Sequence, residues 1–461
     1  VSATWLTDLA HVVTCDDGDR ILHDASILIE EGTITALGST ADLRERADQR
    51  RATRITGRNR LAMPGLVNLH THLPMTLLRG IAEGVDLDGF LRTVWAAEAA
   101  VMTEDTVEQA ATLGAVEAIR GGTTTANDMY FHHEAAHRGA VRAGLRHVIG
   151  PVFFDGPGPD GLSWAERMQG LKEWPDRNRA IGGPSTPLTV TPHSTYAATP
   201  GQLREVVDTT REWPTTPGGP GPLLHTHVSE TAAENADVRA RFGGTPTEVL
   251  AIAGALDGHL RLVAGHGVHL TASDRAALRH ADATVAHCPG SNLKLASGLL
   301  PWETWRADGI RLGIGTDGCS SSNDLDMWQA MRQAALLARL SSGRPDVASA
   351  RDILRAATID GARALGLGHL VGSLEVGKRA DLVLLDLDRP HLTPVHDIPA
   401  LLVFVAGRAD VTDVFVDGQH VLAGGRVTGV EEAALLSVCR ALAPAPPPRA
   451  TPSHLHSGSP A

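Results

Sequence analysis

The sequence predicts an α/β protein, a (β/α)8 TIM barrel carrying a small β-sandwich domain built by both chain ends. Three observations carry this reading. Between about residues 61 and 370, eight short apolar runs alternate with Ala- and Leu-rich amphipathic stretches, the rhythm of parallel strands joined by helices. The segments before and after that middle are punctuated by Gly and Asp in the manner of strands and turns. Finally, histidines and an aspartate fall in chain order at the ends of separate apolar runs, as a barrel that gathers side chains at one mouth requires.

Residues 1–60 form the first part of the sandwich, where 25–34 reads as a strand, a Glu-Gly turn and a second strand. The barrel follows over 61–370. Its strands are expected at 66–72, 123–129, 147–154, 188–193, 223–228, 260–266, 283–287 and 310–317, with amphipathic helices such as 104–120 and 324–339 between them. An open doubly wound sheet is disfavoured because no Gly-rich phosphate loop follows the first strand. Residues 371–435, including runs at 382–387 and 411–421, return to strand texture and complete the sandwich, since chain ends commonly lie close together. Pro/Gly-dense stretches near 156–159, 214–222 and 443–448 read as loops or tail. Residues 443–461 are expected to be a disordered tail, which sets His454 and His456 apart from any ligand set.

Composition narrows the partners. With 43% hydrophobic residues the chain can bury a large core, and a net charge of -12 argues against a nucleic-acid polymer. The 4 cysteines show no CxxC spacing, which gives little support to a disulfide framework or a thiolate metal site and points to a reducing cytoplasm. No basic leader and no long apolar span is present, so the reading is a soluble protein without a membrane partner.

The chemistry-bearing residues begin with His70 and His72. On a strand, residues two apart face the same side, so both imidazoles can face one ion. His227 ends another apolar run, with Glu230 three residues on. A nitrogen ligand beside a carboxylate is what metal-assisted hydrolysis needs, one group to hold the ion and another to carry protons. His266 stands just past a further strand, with His269 as the competing histidine or as a residue packed under the loop. Asp317 ends the last apolar run between Gly315 and Gly318, which permit close approach of backbone to a ligand.

In combination, His-x-His, His-x-x-Glu, His and Asp resemble the amidohydrolase superfamily. The likeness runs from the β-rich amino end through the barrel to 372–383. More narrowly, residues 63–80, Cys288-Pro289-Gly290-Ser291-Asn292-Leu293-Lys294-Leu295 and Gly315-Thr316-Asp317-Gly318 are similar to the branch that holds methylthioadenosine/S-adenosylhomocysteine deaminases and chlorotriazine hydrolases. The resemblance implies one divalent metal ion, Zn2+ before Fe2+, held by His70, His72, His227 and Asp317. A two-metal site of the superfamily usually needs a bridging lysine, and no lysine precedes Lys172 here. It also implies that Asp317 takes a proton from water, His266 orients the nucleophile and Glu230 protonates a ring nitrogen.

For the substrate, His193 stands where relatives place a contact to ring or sugar, with a supporting role behind the site as its alternative. Glu98 lies near the place of a ribose-gripping glutamate, and Trp95, Trp164, Trp302 and Trp328 are candidate pocket aromatics whose other role is core packing. One departure bears on the tail. Where relatives place an arginine for the amino-acid end of adenosylhomocysteine, this chain reads Gly150-Pro151-Val152-Phe153-Phe154, so a less charged tail or a bare heterocycle is expected. The favoured function is hydrolytic deamination of an aminated purine nucleoside, purine or pterin, a small heterocyclic partner. One alternative uses the same metal site for dechlorination, N-dealkylation, cyclisation or dehydration, and another is a non-catalytic metal-binding barrel. The sequence leaves oligomeric state open, and the resemblance allows a homo-oligomer.

Overall fold

The computed structural model describes residues 3–182, 186–214 and 221–444. The centre of the 214–222 loop and the expected disordered tail from 445 onward lie outside them.

Eight parallel strands close into a ring: β1 Leu66–His72, β2 Thr123–Asp128, β3 Arg146–Val148 continued by Val152–Phe153, β4 Thr189–Pro192, β5 Leu223–Val228, β6 Arg261–His266, β7 Thr284–His287, and β8 Arg311–Ile314 continued by Asp317–Gly318. Closure is made by Asp317 pairing with Thr71 and Gly318 with His72. Strands β1, β2 and β5 are buried along their whole length, as expected of barrel strands covered by helices. Two expected strands, 147–154 and 310–317, are each broken in two. In β3 the break falls at Gly150-Pro151, where proline has no N–H for the ladder and a Cβ on Gly150 would lie 1.9 Å from the Thr189 carbonyl. In β8 it falls at Gly315-Thr316, where a Cβ on Gly315 would lie 2.9 Å from the His70 carbonyl and 3.0 Å from Cys288 Sγ. The second break lets β8 press against β1 at the level of the histidines.

Both chain ends build one mixed sheet of 9 strands. Its seam is Arg60–Pro64, antiparallel to Leu382–Asp386 and parallel to Ala3–Val13. Leu6, Ile27, Ile34, Leu382 and Phe415 form a core of its own. The Glu31-Gly32 turn has φ of 51° and 77°, the left-handed pair that a tight hairpin requires.

The helix Leu87–Val101 follows β1 and starts at Asp86, whose carboxylate accepts the Gly89 N–H at 2.9 Å. Its apolar side, with Phe90 and Val94 buried, faces the open end of the barrel. All four cysteines are free and buried, and no described helix is long and apolar enough to cross a membrane.

Candidate metal centre

The ligand-type residues meet at the carboxyl end of the ring, because β1, β5, β6 and β8 each carry one of them at or next to their last residue. The ligand atoms of His70, His227, His266 and Asp317 all lie within 4.8 Å of one another. His72 joins them, its Nε2 being 3.1 Å from Asp317 Oδ1 and 3.3 Å from His227 Nε2. The five residues are buried.

The tautomers follow from the partners of the opposite ring nitrogens. His72 Nδ1 donates to the Met129 carbonyl at 2.7 Å and His227 Nδ1 to the His193 carbonyl at 2.7 Å. A carbonyl only accepts, so these protons sit on Nδ1 and each Nε2 faces the centre. His266 Nδ1 meets the Asn292 amide oxygen at 2.9 Å, with the same result. His70 Nδ1 shares a hydrogen bond of 2.6 Å with His225 Nε2, while His70 Nε2 is buried without a hydrogen-bond partner. Outer partners of this kind orient metal-binding imidazoles.

Asp317 is fixed by its neighbours. Its Oδ1 accepts the Gly318 N–H at 2.8 Å and its Oδ2 the Ser321 hydroxyl at 2.8 Å. Burial alone would raise this carboxyl, but the imidazoles of His70 and His72 hold it well below the usual range. Burial lowers His70 to about 4 and keeps His227 well below its ordinary value, so both present neutral nitrogen. At His72 burial is overcome by the Asp317 carboxylate, which raises that imidazole to about 9, so metal binding at its Nε2 displaces a proton. His266 and Asp317 adopt φ of 67° and 61°, a left-handed backbone that side chains seldom take and that turns both groups inward. A compact set of imidazole nitrogens and one carboxylate, with an orphaned buried Nε2 among them, fits a divalent ion such as zinc.

Glu230 stands beside this set. Its Oε1 accepts the Ser297 hydroxyl at 3.1 Å, and its Oε2 lies 3.7 Å from His266 Nε2. Burial raises its carboxyl, helped by the charge of Asp317 and opposed by His266. Glu234 holds the loop: it accepts the backbone N–H of Ser229 at 3.1 Å and of Glu230 at 2.6 Å. Ser229 is itself left-handed, with φ of 50°. His269, the competitor of His266, instead donates to the Ser297 carbonyl at 2.6 Å under the loop.

A cavity opens onto the centre and is bordered by all three sequence candidates for substrate contact, His193, Glu98 and Trp95. Glu98 is 1% exposed; its Oε1 accepts the Tyr130 hydroxyl at 2.7 Å and its other oxygen has no partner. Burial lifts its carboxyl to about 7 against that hydrogen bond. Trp95 is 44% exposed at the rim, with its ring 6.1 Å from that of His193. Trp164, Trp302 and Trp328 do not border the cavity; Trp302 and Trp328 are core residues, and Trp164 donates to Glu205.

Glu234, Asn292, Ser297, Ser321 and His225 also shape the site, and the sequence alone assigns them no role. His225 carried a usable signal, being two residues before His227 and so on the same strand face.

Comparison with known proteins agrees with this geometry. The model of the amidohydrolase family matches residues 61–421. A 5-methylthioadenosine/S-adenosylhomocysteine deaminase of Moorella thermoacetica is 41% identical over 368 residues, 80% of this chain and 83% of that protein. A 5'-deoxyadenosine deaminase of Methanosarcina mazei is 35% identical over 432 residues, 92% of this chain and 94% of that one. The crystal structure of an adenosine deaminase from Xanthomonas campestris with bound zinc superposes with a TM-score of 0.87 at 35% identity, covering 96% of this chain and 98% of that one.

Proposed function

The chain belongs to the amidohydrolase family, and on that premise we propose that it is a metal-dependent deaminase that removes the amino group of an adenine nucleoside as ammonia. One observation carries the reading: four imidazoles with Nε2 turned inward and the Asp317 carboxylate meet beside a buried Glu230, at the floor of a cavity bordered by His193, Glu98 and Trp95.

In this reading His70, His72, His227 and Asp317 hold one divalent ion, zinc for preference because the similar structure from Xanthomonas campestris has bound zinc. When bound, the ion supplies Lewis acidity that makes water nucleophilic at neutral pH. Asp317, ionised and aimed by Gly318 and Ser321, accepts the proton of the attacking water. His266, its Nδ1 tied to Asn292, points Nε2 at the attacking oxygen. Glu230, whose carboxyl burial keeps protonated to a higher pH, donates to the ring nitrogen as the amino-bearing carbon is attacked. His193 borders the ring or sugar. Glu98 offers its free oxygen to sugar hydroxyls, and Trp95 covers the rim.

The test is ammonia release from adenosine, 5'-deoxyadenosine and methylthioadenosine by the zinc-loaded protein, beside Glu230→Gln. The reading predicts turnover in the parent and a loss of roughly 10²-fold or more in the variant at unchanged zinc content. Zinc-loaded protein that releases no ammonia from any of these nucleosides contradicts it.

A further inference from the structure

Resting on the deaminase reading, we propose that this site selects adenine nucleosides whose 5' substituent is uncharged and apolar, and disfavours one that ends in a carboxylate. Methylthioadenosine and S-adenosylhomocysteine share their purine, ribose and thioether. They differ in the tail, a methyl group in one and an amino acid in the other. The cavity wall therefore decides between them.

Away from the metal centre much of that wall is hydrocarbon, from Met75, Phe90, Val94, Phe131, Val152 and Leu295, and Tyr130 and Tyr196 are neutral. Among the described residues no lysine or arginine borders the cavity, and the carboxyl groups that do are Glu98, Glu230 and Asp317. A tail carboxylate would thus leave water for apolar carbon in the company of acids, with no cation to receive it.

A guanidinium does lie behind the wall. Arg167 is 4% exposed, yet Asp160 neutralises it through two bonds, 2.8 Å from Nη1 and 2.6 Å from Nη2. The Phe154 ring covers it at 4.4 Å, and Phe131 packs edge-on against Phe154 at 5.2 Å. Of this chain of groups only Phe131 reaches the cavity. Gly158 locks the stack. A Cβ there would lie 2.2 Å from Phe154, 2.9 Å from Phe131 and 3.1 Å from Arg167, so all three press on one glycine. Two aromatic rings and a paired aspartate therefore keep the positive charge from the substrate. Phe131, Phe154 and the Asp160–Arg167 pair are the specificity-determining set.

The experiment measures kcat/KM for ammonia release by the zinc-loaded full chain with methylthioadenosine, S-adenosylhomocysteine and 5'-butylthioadenosine, the last a long but uncharged tail. The expected result is butylthioadenosine within tenfold of methylthioadenosine, and S-adenosylhomocysteine lower by about 100-fold. A gap of less than tenfold between methylthioadenosine and S-adenosylhomocysteine overturns this inference and leaves the deaminase reading standing. A common fall for both long tails overturns it in favour of length. No ammonia from any of the three overturns the deaminase reading itself.

Discussion

His227 donates through Nδ1 to the main-chain carbonyl of His193 at 2.7 Å, so the backbone of a cavity residue sets the tautomer of an imidazole in the metal centre. The side chain of the same His193 borders the cavity. Backbone and side chain at this position therefore carry separate duties, and a substitution can divide them. His193→Ala keeps the carbonyl and should retain the zinc content of the parent while KM for the nucleoside rises at least about tenfold, a loss of uniform binding. Metal analysis beside steady-state kinetics checks both halves. Loss of zinc in this variant contradicts the division.

Glu234 is a positioning residue. It does not border the cavity, yet both its oxygens hold N–H groups of the Ser229-Glu230 turn that carries the proposed acid. Glu234→Ala strands two buried donors and should destabilise by roughly 1–3 kcal/mol. It should lower kcat more than it changes KM, with zinc content unchanged. Glu234→Gln keeps one acceptor and should recover part of kcat, a rescue that a purely structural role would not produce.

Glu98 gives a pH signature. Its folded carboxyl keeps its proton up to about 7, against 4.5 as the ordinary value. Its stabilising contribution is therefore full below 4.5 and is lost as pH rises through 7, by roughly 3 kcal/mol at most. Thermal unfolding of the parent and Glu98→Gln at fixed zinc should show the parent losing ground to the variant across that window. Parallel curves contradict the assignment.

Gly315 lets β8 approach β1 where the imidazoles meet. In Gly315→Ala the new methyl would press on the His70 carbonyl at 2.9 Å and on Cys288 Sγ at 3.0 Å. Overpacking of this kind costs about 1–3 kcal/mol. The displaced His70 should also weaken zinc binding, which competition with a chelator measures. Parent-like affinity would separate the close approach from the metal site.

Much of this was legible in the sequence because it is periodic or ends a period. His70 and His72 share a strand face by spacing alone, and His227, His266 and Asp317 each close an apolar run, so the ring of strands and its candidate ligands could be read together. The strand breaks at Gly150-Pro151 and Gly315-Thr316 are set by how near a neighbouring backbone comes, which no local pattern records. Glu234, Asn292 and Ser321 act on main chain or on other side chains, and their spacing carries no mark of that work. Trp302 and Trp95 are equally aromatic in sequence, yet one fills the core and the other rims the cavity, because composition gives a ring no direction.

The central claim is that His70, His72, His227 and Asp317 hold one catalytic divalent ion. Anomalous diffraction at the zinc edge from crystals of the zinc-loaded protein tests it most directly. The account predicts one strong peak at about 2.0–2.2 Å from the three Nε2 atoms and an Asp317 oxygen. A peak bound elsewhere, or a centre that stays empty in protein that releases ammonia, would contradict it.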